Sequence, residues 1–87
     1  MMDELEQYRK QVDRVDGLIL KALAERAKIC AAIGEVKKKR GIAIRDITRE
    51  NEVYTSVKEK SFEFGLDPLQ VEAVFREIVN MCSAVQE

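Results

Sequence analysis

The sequence predicts an all-α fold, with three helices per chain, one very long N-terminal helix, and an intertwined helical homodimer. Three observations carry the prediction. Leu5, Val12, Val15, Ile19, Leu23, Cys30 and Ile33 form one apolar seam in steps of three, four or seven, as a single helix face requires. Asp67-Pro68 with Gln70 makes a helix start. Nowhere does a period-two alternation suggest a strand.

The first helix is expected over Asp3 to Arg40. Lys37, Lys38, Lys39 and Arg40 suit the negative end of its dipole, and Gly41 is a natural stop. Gly17 and Gly34 weaken it, each by about 1 kcal/mol against alanine. A second helix is expected from about Ile47 to Phe64, with Val53, Tyr54, Val57 and Phe64 on one face and Gly65 closing it. In the third, Asp67 is the N-cap, Pro68 sits at N1, Gln70 at N3, and Leu66 can staple onto Val71. Val71, Val74, Phe75, Ile78, Cys82 and Val85 continue its stripe to the C-terminus.

The 87 residues suffice for one domain, spanning 1–87. A helix of about 38 residues is a rod of roughly 57 Å, whereas a compact globule of this length has a radius of gyration of about 12 Å. The rod must therefore project from a monomeric core with much of its seam exposed. Pairing with a second copy would cover it.

Fifteen basic and 16 acidic residues leave a formal charge of -1, so no basic field favours nucleic acid or an anionic membrane. The start MMDELEQYRK has no apolar signal core, and no apolar run reaches the ~20 residues that span a bilayer. There is no histidine, and Cys30 and Cys82 fit no zinc or CxxC spacing. The expectation is a reduced, cytoplasmic protein without metal or cofactor, its cysteines free and buried as small hydrophobes. Lack of histidine also disfavours Ser-His or Cys-His nucleophiles; a strongly perturbed carboxylate or lysine could still titrate, but binding and electrostatics are the expected tools.

The informative residues interrupt the apolar faces. Arg26 lies on the seam between Leu23 and Cys30, Lys37 one step beyond Ile33, and Arg9 at the edge between Leu5 and Val12. Glu50 shares the face of Val53, Tyr54 and Val57, and Gln86 sits beside Cys82 and Val85. The bland explanation is a long side chain lying along apolar surface with its head in water. Arg26 resists it, because a mid-helix guanidinium buried without a partner costs several kcal/mol. Arg26 and Lys37 are about 16 Å apart along one face, close enough to grip the two ends of a small molecule. Arg9 is about 25 Å from Arg26 on the same rod, so only Arg9 of the partner subunit could join them. Such a constellation suits a small dicarboxylate with hydroxyl and ether oxygens. In Arg45-Asp-Ile-Thr-Arg-Glu50, Asp46 can cap the second helix, but Arg45 and Arg49 run against the dipole.

The run Arg9-Lys-Gln-Val12-Asp13-Arg-Val15-Asp16, then Leu18-Ile19-Leu20, Leu23 and Glu25-Arg26, resembles the opening of the all-helical chorismate mutases. The resemblance continues through Gly34-Glu-Val-Lys37, the loop Gly41 to Asp46, Arg49-Glu50 and the closing helix with Gln86. It implies a dimer with two sites, each completed by the partner, and a cofactor-free Claisen rearrangement of chorismate to prephenate in phenylalanine and tyrosine biosynthesis. Arg26 and the partner's Arg9 would clamp the carboxylates, and Lys37 and Gln86 would donate to the ether oxygen. Glu50 would accept from the ring hydroxyl, with Asp46 and Arg49 holding the ring end. Cys82 stands where the family often has serine, a poorer hydrogen-bonding group at a substrate-contact position.

The chain is expected to be a free-standing mutase. An isochorismate-pyruvate lyase of the same fold is the near alternative, disfavoured by the complete Gly41 to Asp46 loop and the Arg49-Glu50 pair. A non-catalytic helical dimerisation module is the distant one. DNA binding is the weakest, for want of a basic face and a recognition-helix turn.

Overall fold

The computed structural model describes residues 3–87 and contains three helices: α1 (Glu4–Arg40), α2 (Ile47–Glu63) and α3 (Pro68–Gln86). Met1 and Met2, part of the single-domain expectation and of the N-terminal signal argument, lie outside the described residues. Local chemistry sets the helix ends. Asp3 caps α1 by accepting from Glu6 N at 2.8 Å, and Asp46 caps α2 by accepting from Arg49 N at 3.0 Å. Asp67 accepts from both Leu69 N and Gln70 N ahead of α3, with Pro68 in the first turn.

Gly41, at φ 66°, ends α1 by donating to the Lys37 and Lys38 carbonyls, and Ile42 N returns to Lys37 O at 2.9 Å. Only glycine adopts that left-handed conformation without strain. Helix α2 stops one residue before the expected Phe64, which becomes its C-cap. Phe64 is 74% exposed, so it does not share the packed face of Tyr54.

Helix α3 packs on both neighbours. It runs parallel to α1, because Cys30 meets Cys82 and Gly34 meets Gln86, one turn further along each helix. It runs antiparallel to α2, where Lys58 pairs with Glu72 at 2.8 Å and Arg76 lies 4.3 Å from the centre of the Tyr54 ring.

The cysteines correct the sequence reading. They are not free thiols: Cys30 and Cys82 form a disulfide, and none of the described cysteines is unpaired. Each lies on the apolar stripe of its helix, and the two stripes face each other in register. Their Cα atoms are 5.3 Å apart, within the range a disulfide bridges. The argument for a reducing compartment falls with the free thiols. No described helix is long and apolar enough to cross a membrane.

Only the C-terminal half of α1 is covered. Leu5, Val12, Val15 and Ile19, the N-terminal seam, are 45–57% exposed. The chain extends 59 Å along its long axis with a radius of gyration of 16.6 Å, well above the compact value of about 12 Å. Its accessible surface of 7163 Å² exceeds by roughly 1,900 Å² that of an average folded monomer of 10.0 kDa. Among the described residues, Cys30, Tyr54 and Val79 are the buried large or sulfur-bearing apolar side chains, a small core for three helices.

Candidate functional site

Between the C-terminal half of α1, the 41–46 loop, the start of α2 and the end of α3 lies a cavity of about 300 Å³. It is at the small end of the ligand-pocket range of ~300–1,000 Å³. Arg26, Lys37, Asp46, Arg49, Glu50, Cys82 and Gln86 all line it, against apolar walls from Ile33, Ile44, Val53 and Val79. The loop is what brings them together. Gly41 turns the chain so that the loop passes back over the end of α1, where the Lys37 ammonium donates to Ile44 O at 2.6 Å. Arg9 is exposed on the uncovered half of α1 and does not line this cavity.

Charges in the cavity are unevenly matched. Asp46 is engaged by its helix, and Glu50 is gripped by Arg45, Nε to Oε2 at 2.8 Å and a terminal guanidinium nitrogen to Oε1 at 2.7 Å. This bidentate bond to Glu50, and the carboxylate charge behind it, raise the Arg45 pKa above its ordinary value. Arg26 and Lys37 meet no carboxylate among the described residues. Arg26 donates only to Cys30 Sγ, at 3.7 Å, and Lys37 only to a neutral carbonyl. Two part-buried cations without counter-charge face a common space, which favours an anionic occupant.

Gln86 is held by its own helix. Its Nε2 donates to Cys82 O at 3.1 Å and to Cys82 Sγ at 3.3 Å, folding the amide back along its own helix. Its Oε1 is buried without a partner. Its backbone lies so close to α1 that a Cβ at Gly34 would stand 3.0 Å from Gln86 Cα, Cβ and Cγ. Gly34 is thus a close-approach glycine.

Sequence reasoning did not find Gly34, Arg45 as the partner of Glu50, the Ile44 carbonyl, or Ser83, which is buried in the same wall. No local signal marks them: each depends on the register in which α3 meets α1 and α2, and i,i+4 spacing within one helix does not encode it.

The family profile of chorismate mutase type II matches residues 8–87. The chain belongs to the type II chorismate mutase family. It is 35% identical over 89 residues to the bifunctional chorismate mutase/prephenate dehydratase of Aquifex aeolicus, covering 99% of this chain and 25% of that protein. Against the chorismate mutase of Methanocaldococcus jannaschii it is 30% identical over 87 residues, covering 100% of this chain and 88% of that one. The T-protein of Enterobacter agglomerans is 34% identical over 79 residues, 91% of this chain and 21% of its own length. The chain therefore spans about a quarter or less of two of these relatives and most of the third. Among solved structures, a conserved hypothetical protein of Pyrococcus furiosus superposes with a TM-score of 0.77 at 30% identity, covering 100% of both chains. In this member of the chorismate mutase family, the expected site positions thus surround one cavity, apart from Arg9.

Proposed function

We propose that the protein is a chorismate mutase that rearranges chorismate to prephenate in this cavity, in the biosynthesis of phenylalanine and tyrosine. The observation that carries the reading is the pair of uncompensated cations, Arg26 and Lys37, facing a cavity of about 300 Å³ in a chain of this family. Chorismate is a dicarboxylate, and its reaction breaks an ether C–O bond as a C–C bond forms, with no proton transfer to catalyse. Arg26 clamps a carboxylate and fixes the folded conformer in which the reacting carbons approach. Lys37 donates to the ether oxygen, where negative charge grows in the transition state. Glu50, with Arg45 on one side, keeps lone pairs free to accept from the ring hydroxyl. Asp46 and Arg49 border the ring end.

Gln86 adds a second donor to the ether oxygen by turning one N–H away from Cys82 Sγ. That exchange is cheap, because a disulfide sulfur is a weak acceptor and the ether oxygen a better one.

The site is completed by a second copy of the chain. Support comes from the exposed seam of α1 and from the excess surface of roughly 1,900 Å² per chain, which two copies could bury as an obligate homodimer interface. An apolar groove of about 610 Å³ beside Ile19 and Leu23, walled by Val71, Val74 and Phe75, ends at Arg26. A partner helix seated there would bring the partner's Arg9 to the substrate.

Incubation with chorismate, with products separated and identified, tests the reading. Prephenate formed in step with chorismate loss is expected. Chorismate left intact, or consumed without prephenate, would refute it, and in a parallel incubation with isochorismate, release of pyruvate would select the lyase instead.

A further inference from the structure

Resting on the mutase reading, we propose that the Cys30–Cys82 disulfide is a positioning group for this site, holding the end of α3 so that Arg26 and Gln86 present their donors to the substrate. The bond lies in the cavity wall between these two side chains. Each sulfur accepts from the site residue one turn away on its own helix, Cys30 Sγ from Arg26 and Cys82 Sγ from Gln86. Gln86 is the last residue of α3, where a helix would fray unless tied down. Among described residues past Gln7, no hydrogen bond or ion pair joins α1 to α3. Apolar packing, the Gly34 contact and this one covalent bond hold the helices in register.

Reduction tests the role directly. A thiolate of a dithiol reductant attacks Cys82 Sγ, the S–S bond breaks, and Cys30 leaves as a thiolate that takes up a proton. The reductant's second thiolate then displaces Cys82, which also takes up a proton, leaving the reductant as its cyclic disulfide after two electrons have passed to the protein. The sulfurs must then separate from bonding distance to van der Waals contact, roughly 3.5–4.0 Å. The last turn of α3 shifts with them, and a displacement of about 1 Å in a catalytic donor costs up to about 10²-fold in rate. Cys30 is only 4% exposed, so attack comes through the cavity at Cys82, and an occupied cavity blocks it.

The experiment compares protein prepared without reductant, the same protein after dithiothreitol, and a Cys30→Ala, Cys82→Ala double variant. Thiols are counted under denaturing conditions. We expect reduction to lower kcat by about tenfold with a smaller rise in KM, reoxidation to restore both, and the double variant to match the reduced state and ignore reductant. Hydrogen exchange in residues 82–87 should quicken on reduction, and excess prephenate should slow thiol release. Complete reduction with kcat and KM unchanged would overturn the proposal, even if the melting temperature fell, because the bond would then be structural only. No turnover in either redox state would instead refute the mutase reading itself, and this inference with it.

Discussion

Lys37 shows how a single side chain acquires a role. On the sequence it is one of four consecutive basic residues, which dipole logic alone accounts for. In the fold its ammonium reaches the loop at Ile44 O and meets no carboxylate among the described residues. Lys37→Ala should lower kcat/KM for chorismate by about 10²–10³-fold, the cost of losing a fixed donor at a developing oxyanion. Circular dichroism should show helicity retained; a loss of activity under threefold would exclude Lys37 from the chemistry. Glu72 makes a contrasting residue-scale prediction, about stability. Its bonds to Lys58 and then Arg76 hold its carboxyl below the ordinary value of 4.5. A lowered folded-state pKa contributes stability that is present above 4.5 and is lost as pH falls through the lower, folded value. Urea midpoints between pH 6 and pH 3 should therefore decline more steeply for the native sequence than for Glu72→Gln. Equal slopes would show that the Lys58 and Arg76 contacts do not stabilise the fold.

At the scale of the helix, two glycines in α1 look alike in sequence and differ in surroundings. A Cβ at Gly17 meets nothing within 4 Å in its own chain, whereas one at Gly34 presses on Gln86 at 3.0 Å. Both substitutions gain roughly 0.8–1.0 kcal/mol of helix propensity. Gly34→Ala spends that gain on pushing α3 outward by a few tenths of an ångström, so we expect little net change in stability and a several-fold fall in kcat. Gly17→Ala should raise the melting temperature without touching kcat. A destabilised Gly17→Ala dimer would reveal a close approach by the partner's helix at that point. Helix boundaries were legible in advance because Asp3, Asp46, Asp67, Pro68 and Gly41 act over one turn. Phe64 was misplaced because its face depended on where α2 stops, which the Gly65 turn decides in three dimensions.

For the whole molecule, the exposed seam of α1 and the absence of Arg9 from the cavity point the same way. Sedimentation at micromolar concentration should give a dimer. Arg9→Ala and Arg26→Ala homodimers should each be nearly inactive. Mixing them should restore activity, because one heterodimer site carries both native arginines. Confirmed heterodimers of folded mutants with no recovery would contradict a shared site.

The three helices, the seam too long for a monomer, and the polar residues set into apolar faces were all readable from the chain. They follow from the 3.6-residue period and from caps, both of which act within a few positions. The cavity could be anticipated only as a list of residues. That Glu50 is held by Arg45, that Gly34 admits Gln86, and that Cys30 meets Cys82 were decided by the packing of α3 between α1 and α2. The cysteines are 52 positions apart, and local pattern constrains each helix face without stating the register in which two faces meet. That register is a property of close-packed side chains, settled only when the helices come together.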